Sequence, residues 1–148
     1  MTGASDTGGD DATGGPGAGR PSVSRGRVLV ADDEEAVRHF VSRALEHAGF
    51  RVDAVADGLE AVEALAAGRD YDLLVTDIVM PGLDGIELSL RAARDHPDLP
   101  IILMTGFAAQ KQRAYGLESL IHKVLTKPFT LQQLVDAAKA AVADRPGD

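Results

Sequence analysis

Hydrophobic residues along this chain alternate between short continuous runs and longer segments in which they recur every three or four positions. Short apolar runs bounded by turns are typical of strands buried on both faces, whereas recurrence at helical spacing is typical of amphipathic helices. The runs predict five strands, beginning near positions 27, 51, 72, 100 and 121, and a helical segment follows each. This order predicts an α/β fold of the (βα)5 type, with a doubly wound, parallel five-stranded sheet and helices on both faces.

Polar residues mark where the helices begin. Asp57, Asp84 and Thr130 directly precede helical segments as N-caps, and Gln133 completes a capping box with Thr130. The helical spacing also predicts which face of each helix is buried. Four of the large side chains expected in the core are Phe40, Leu59, Leu90 and Leu131.

The first 26 residues differ in composition from the rest. They contain 8 of the 16 glycines and two of the seven prolines, and almost nothing apolar. Such a segment cannot bury enough surface to offset the entropy lost on ordering. We expect a disordered Gly-rich tail over 1–26, one domain over 27–144, a short C-terminal tail over 145–148 and no separate output domain.

Composition excludes several classes of function. The formal net charge of −8 argues against direct binding to nucleic acid, which favours a basic face. The absence of cysteine excludes disulfides, thiolate catalysis and cysteine-bound metals. No apolar stretch approaches the about 20 residues of a membrane span, and the N-terminus lacks the features of a secretory signal. We therefore expect a cytoplasmic protein.

Polar side chains end four of the five strands, and the carboxyl ends of parallel strands share one edge of a sheet. Three carboxylates meeting there would repel one another unless a cation intervened, and Mg²⁺ prefers hard oxygen ligands together with phosphate. An ammonium and a hydroxyl group nearby would bind further phosphoryl oxygens, and an aspartate can act as the nucleophile. The sequence therefore indicates phosphoryl chemistry. The residues concerned are Asp32 and Asp33, then Asp77, then Thr105 and Gly106, then Lys127 and Pro128.

Four motifs follow one another in a fixed order: Asp32-Asp33, Asp77 with Met80-Pro81-Gly82-Leu83-Asp84-Gly85, Thr105-Gly106, and Lys127-Pro128-Phe129. With these motifs, residues 27 to about 143 resemble a response-regulator receiver domain of two-component signalling. The resemblance implies a flavodoxin-like fold with strand order 2-1-3-4-5.

The resemblance also implies how the phosphoryl group arrives. Asp77 would be the phosphoacceptor, taking the group from a phosphohistidine on a histidine kinase or a histidine phosphotransfer protein. Asp33, Asp77 and the backbone carbonyl of Val79 would bind Mg²⁺ directly, and Asp32 would act through water. The protein would at most catalyse its own phosphotransfer and dephosphorylation, and would not be a classical enzyme.

On the opposite side of the site, the resemblance implies phosphate-binding groups. The Thr105 hydroxyl and the Lys127 ammonium would bind phosphoryl oxygens, with the Gly106 amide beside them. The peptide bond between Lys127 and Pro128 is usually cis in this family.

Three segments, over 74–81, 104–109 and 123–129, resemble more closely the CpdR-type single-domain regulators. Those proteins act in the cell cycle by controlling the placement and substrate delivery of an ATP-dependent protease. This resemblance implies a phosphorylation switch of protein–protein binding, with such a protease as the downstream target. A phosphorelay intermediate or phosphate sink remains an alternative. A phosphatase with an aspartate nucleophile is disfavoured, since it would need an acid where Val79 stands.

One position departs from the pattern of many receivers, which carry Tyr or Phe three residues before the lysine. That aromatic ring rotates inward on activation. Val124 occupies the position here, and it is too small and too stiff at χ1 for such a movement. Phe107 and Tyr115 are the candidates to replace it.

Overall fold

The structure is a computed structural model that describes residues 25–106 and 108–144, with only the backbone described over 108–110. Strands and helices alternate throughout, and each predicted strand is present with its ends within two residues of the prediction. Residues 1–24 of the tail predicted over 1–26, and the tail predicted over 145–148, lie outside the described residues. The elements are β1 (Arg27–Ala31), α1 (Glu35–His47), β2 (Arg51–Val55), α2 (Gly58–Ala66), β3 (Leu73–Asp77), α3 (Gly85–Asp95), β4 (Ile101–Thr105), α4 (Ala108–Ala114) with a 3₁₀ turn (Tyr115–Leu117), β5 (Lys123–Thr126) and α5 (Leu131–Ala143).

The five strands form one sheet in the order β2-β1-β3-β4-β5, and all four pairings are parallel. This confirms the predicted flavodoxin-like order. The strand order reverses between β1 and β3, which are neighbours in register, with Ala31 opposite Thr76. The residues that follow this pair, Asp32 and Asp77, therefore emerge side by side at the switch point where ligands bind in open α/β sheets.

Two hydrophobic clusters cover the two faces of the sheet, because side chains alternate between faces along each strand. One cluster packs α1 and α5 against the sheet, through residues such as Leu45 and Leu134. The other packs α2 and α3, through Leu65 and Leu88, and includes Ala114 at the end of α4. The central strands β3 and β4 are buried along their whole length. No helix in the described part of the chain is both long and apolar enough to cross a membrane.

The predicted caps are confirmed. Asp57 accepts a hydrogen bond from the Glu60 N–H at 2.8 Å. Thr130 and Gln133 form the capping box of α5, with distances of 3.0 and 2.8 Å. These bonds fix where α2 and α5 begin, a few residues after the ends of β2 and β5.

Four predicted core positions are wrong, since the side chains of Phe40, Leu59, Leu90 and Leu131 are 41%, 58%, 41% and 49% exposed. Leu59 and Leu131 lie in the first turns of their helices, and the buried side chains begin further along, at Ala61 and Leu134. Phe40 lies at the flank of the α1 stripe, where its ring tilts against Phe129 with centroids 6.4 Å apart.

The error at Leu90 comes from a polar residue in the core. Ser89 is fully buried, because its hydroxyl donates a hydrogen bond of 2.7 Å to the Gly85 carbonyl oxygen. This local bond removes the cost of burying the hydroxyl. Helix α3 therefore turns Leu88, Ser89 and Ala92 inward, so that apolarity alone selects the wrong face.

Candidate functional site

Three carboxylates converge at the carboxyl edge of the sheet. Asp32 follows β1 and is fully buried, Asp77 ends β3 and is almost fully buried, and Asp33 is exposed. One oxygen from each of the three carboxylates lies within 4.8 Å of the others. Asp32 is held in place by the Glu34 N–H, which donates to its Oδ1 at 2.9 Å.

The chemistry of this cluster suits a hard divalent cation. Oδ2 of Asp32 is buried and has no hydrogen-bond partner among the described residues. Burial raises the pKa of Asp32 despite the hydrogen bond from Glu34. Burial also raises the pKa of Asp77, Lys127 opposes this effect, and the charge of Asp32 adds to it. Clustered carboxylate oxygens with an open side are the ligands that Mg²⁺ takes in proteins, so the donor set fits the predicted ion.

Lys127 reaches the same carboxylates from the end of β5. Its Nζ lies 3.3 Å from Oδ1 of Asp77 and 3.6 Å from Oδ2 of Asp32. The Lys127 backbone N–H donates to the Thr105 carbonyl oxygen at 2.7 Å, which fixes the end of β5 beside the end of β4. The bond between Lys127 and Pro128 is cis, as the resemblance implies.

A cleft of about 460 Å³ joins these groups, and its lining includes most of the predicted site. Thr105 is buried at its wall, Gly106 is exposed at its rim, and the Val79 side chain is exposed beside it. The roles proposed for the Val79 carbonyl and the Gly106 amide remain predictions. The residues that line the cleft are Asp33, Glu34, Asp77, Ile78, Val79, Thr105, Gly106 and Lys127.

The loop after β3 is positioned by backbone packing. The Gly85 N–H donates to the Ile78 carbonyl oxygen at 2.8 Å. A Cβ atom added at Gly85 would overlap the carbonyl oxygen of Asp77, and one added at Gly58 would overlap that of Leu83. Only glycine permits these approaches, so the start of α3 is fixed against the backbone of Asp77 itself.

Val124 stands where many receivers carry the aromatic switch, and Phe107 and Tyr115 are the residues proposed to replace it. Val124 is half-buried and packs against the α2 and α3 cluster. Tyr115 is largely exposed, in the 3₁₀ turn after α4. Phe107 lies outside the described residues. Among the described residues, Tyr115 is therefore not a ring buried next to the site.

Sequence reasoning missed Arg113 of α4. Its Nη2 lies 2.7 Å from Oδ2 of Asp84, the residue that caps α3. Partial burial opposes ionisation of Asp84, but the bonds from Arg113 and from the Glu87 N–H outweigh it and lower the pKa. No local pattern signals this pair, because 29 positions separate its members.

The raised acid pKa values make a prediction for the metal-free protein. Between the ordinary value of 3.8 and the raised folded values, the folded state binds more protons than the unfolded state. Stability therefore falls as pH rises through this window. Asp32→Asn removes a buried charge, and we expect it to raise the free energy of unfolding by about 1–2 kcal/mol at neutral pH.

Urea denaturation with a chelator present measures this change. Asp98→Asn is the matched control, because Asp98 is an exposed acid away from the cleft. An unchanged or lower stability of Asp32→Asn, relative to this control, would contradict the prediction.

Comparisons with known proteins bear on the same residues. The family described as response regulator receiver domain matches residues 28–139. CpdR, a response regulator receiver protein of Brucella abortus, is 44% identical over 110 residues, which cover 74% of this chain and 91% of CpdR. TcrA, a transcriptional regulatory protein of Mycobacterium tuberculosis, is 40% identical over 126 residues, covering 85% of this chain and 49% of TcrA. The chain thus spans about half the length of the first curated relatives it matches.

Solved structures give the same result. A response regulator receiver protein of Sinorhizobium medicae is 34% identical, with a TM-score of 0.72, over 80% of this chain and 95% of that one. TrrA of Thermotoga maritima, in complex with Mg²⁺-BeF, is 30% identical, with a TM-score of 0.70, over 78% of this chain and 97% of TrrA.

Proposed function

This chain belongs to the response regulator receiver domain family, and we propose that a phosphoryl group on Asp77 sets the state of a signalling switch. The family match confirms the predicted receiver domain and its place in two-component regulation. Receiver domains are signalling domains and not classical enzymes. The observation that supports the proposal best is the cluster itself, in which three carboxylates approach within 4.8 Å of one another and the Lys127 ammonium contacts two of them.

The proposed reaction is a phosphoryl transfer from a phosphohistidine of a histidine kinase or a histidine phosphotransfer protein. A carboxylate oxygen of Asp77 attacks phosphorus, an O–P bond forms, and the P–N bond breaks with its electron pair left on the imidazole nitrogen. Water reverses the modification by hydrolysing the acyl phosphate. The Asp77 carboxylate lines the cleft, through which the donor phosphoryl group would reach it.

Asp32, Asp33 and Asp77, with the Val79 backbone carbonyl, would hold Mg²⁺ here. When bound, the ion offsets the negative charge of the carboxylates and the phosphoryl oxygens. TrrA, the similar protein solved with Mg²⁺-BeF, supports this assignment. Asp32 would act through water, as the family resemblance implies.

Lys127 and Thr105 would then bind the phosphoryl oxygens. The Lys127 ammonium lies 3.3 Å from Asp77 and would exchange this carboxylate oxygen for a phosphoryl oxygen. Thr105 lies at the end of β4, and its hydroxyl would donate a hydrogen bond to a phosphoryl oxygen. The Gly106 N–H and Pro128 would lie beside it. This change at the ends of β4 and β5 is the start of the conformational response.

The proposed output is protein binding by a cytoplasmic, single-domain regulator. The match to 91% of CpdR supports this choice over a transcriptional role such as that in the name of TcrA. The resemblance to CpdR-type regulators further suggests substrate delivery to an ATP-dependent protease in the cell cycle.

A phosphorelay intermediate or phosphate sink is the second candidate. It is favoured by Val124, whose packed, branched side chain cannot perform the aromatic rotation of many receivers. The lifetime of the phosphoryl group distinguishes the two functions. A sink loses the group quickly and shows no partner whose binding depends on phosphorylation.

A phosphodonor experiment tests the proposed function. Purified protein incubated with a small-molecule phosphodonor and Mg²⁺ is expected to gain one phosphoryl group, seen by intact mass and lost on treatment with hydroxylamine. Chelation of Mg²⁺ is expected to slow labelling by about 100-fold or more, since a metal ion contributes several kcal/mol to such a transition state. A label that hydroxylamine does not remove, or a labelling rate that chelation does not change, would overturn the proposal.

A further inference from the structure

An ion pair joins α4 to the loop that follows the phosphoacceptor strand. Nη2 of Arg113 lies 2.7 Å from Oδ2 of Asp84, and the two side chains are 47% and 31% exposed. Oδ1 of Asp84 accepts the Glu87 N–H at 2.9 Å, which caps α3. One carboxylate therefore holds both the start of α3 and the side of α4.

Asp84 is firmly connected to Asp77 through the backbone. Its neighbour Gly85 donates to the Ile78 carbonyl oxygen at 2.8 Å and leaves no room for a Cβ atom against the Asp77 carbonyl. A movement of the backbone after β3 must therefore displace Asp84 as well. The pair with Arg113 extends this connection to α4.

Helix α4 has a second connection to the site at its own start. It begins at Ala108, three residues after Thr105. Among its described side chains, Ala114 is the buried one, and it follows Arg113 directly. The contacts that orient α4 therefore include the end of β4, the packing of Ala114 and the ion pair with Asp84.

We propose that Arg113 is a positioning residue that, through Asp84, holds α4 in the orientation of the unphosphorylated state. This inference rests on the proposed function, since it concerns the response to phosphorylation at Asp77. The Lys127 ammonium contacts Asp77 directly and would exchange this contact for one with a phosphoryl oxygen. Rearrangement of Thr105 toward the phosphoryl group moves the start of α4 and strains the pair. The route needs no aromatic ring at position 124.

The size of the effect follows from the exposure of the pair. Partly exposed ion pairs change an equilibrium by about two- to fivefold, and salt weakens them. A phosphodonor that reacts only with the phosphorylation-competent state labels the protein at a rate proportional to the population of that state. Breaking the pair should therefore raise the labelling rate by this factor.

The experiment compares Arg113→Gln, Asp84→Asn and the double variant with wild type. Asparagine caps helices as well as aspartate does, so Asp84→Asn removes the charge and keeps the cap. Arg91→Gln is the matched control, because Arg91 pairs with Glu87 of the same helix at 3.7 Å and does not reach α4. The readouts are the labelling rate with a small-molecule phosphodonor and Mg²⁺, and amide hydrogen exchange over 111–117 in the unmodified protein.

We expect each single variant to label about two- to fivefold faster at low salt, the double variant no faster than either, and Arg91→Gln to match wild type. Amide hydrogen exchange over 111–117 should be faster in Arg113→Gln than in wild type, and unchanged in Arg91→Gln. Two outcomes would overturn the inference while leaving the proposed function intact. In the first, Arg113→Gln labels and exchanges amide hydrogens at the wild-type rates. In the second, the increase in labelling rate of the double variant equals the product of the increases in the single variants. Failure of wild type itself to label would remove both.

Discussion

Replacing Asp77 with asparagine is expected to reduce phosphoryl labelling to background, a loss of at least about 1000-fold. An amide oxygen is a poor nucleophile, and its phosphorylated product is unstable. The substitution preserves the size and shape of a buried side chain, so the fold should persist. Intact mass after incubation with the phosphodonor and Mg²⁺ measures the loss, and circular dichroism verifies the fold.

Asp98→Asn serves as the control again, since it removes one exposed acid and should label at the wild-type rate. Neutralising the buried Asp77 should also leave the metal-free protein at least as stable as wild type, because burial raises the pKa of this group. Full labelling of Asp77→Asn would place the acceptor elsewhere. Peptide mapping of the label would then show whether Asp33, the exposed acid of the cluster, is the phosphorylated residue.

Gly85→Ala is expected to destabilise the fold by about 3 kcal/mol or more. The added Cβ atom would overlap the carbonyl oxygen of Asp77, and this neighbour is backbone in a buried strand. Either β3 or the start of α3 must move, which would break the bond between Gly85 and Ile78. Urea denaturation of the purified variant measures the change.

Gly116→Ala provides the matched control for this substitution. A Cβ atom at Gly116 meets nothing within 4 Å, and its backbone lies in the 3₁₀ turn. Gly→Ala at such a site is neutral or stabilises by up to about 1 kcal/mol. A Gly85→Ala protein as stable as the Gly116→Ala protein would show that the loop after β3 adjusts freely. That result would also contradict a rigid backbone connection between Asp84 and Asp77.

The strands and the site could be predicted from the sequence because both follow from local rules. Buried parallel strands must be short and apolar, so β3 and β4 stand out from their surroundings. Charged groups directly after such strands have few structural uses, and parallel strands bring them to one edge. The carboxylates of Asp32, Asp33 and Asp77 meet within 4.8 Å for this reason.

Features that depend on three-dimensional packing could not be predicted in this way. Apolar spacing selected Leu90 as a core residue, because it takes no account of a serine that satisfies its own hydroxyl against the preceding turn. The pair between Arg113 and Asp84 joins two helices across 29 positions, and no periodicity links them. The approach of Gly85 to Asp77 likewise depends on where α3 packs, which only the structure gives.

Main chain fills the space beside the carbonyl group of Asp77 at Gly85, while the Leu90 side chain of the same helix is exposed. Substitutions at the exposed Leu90 are therefore expected to leave the backbone contact between Gly85 and Asp77 unchanged. The outer face of α3 can thus vary in sequence without displacing the main chain of Asp77.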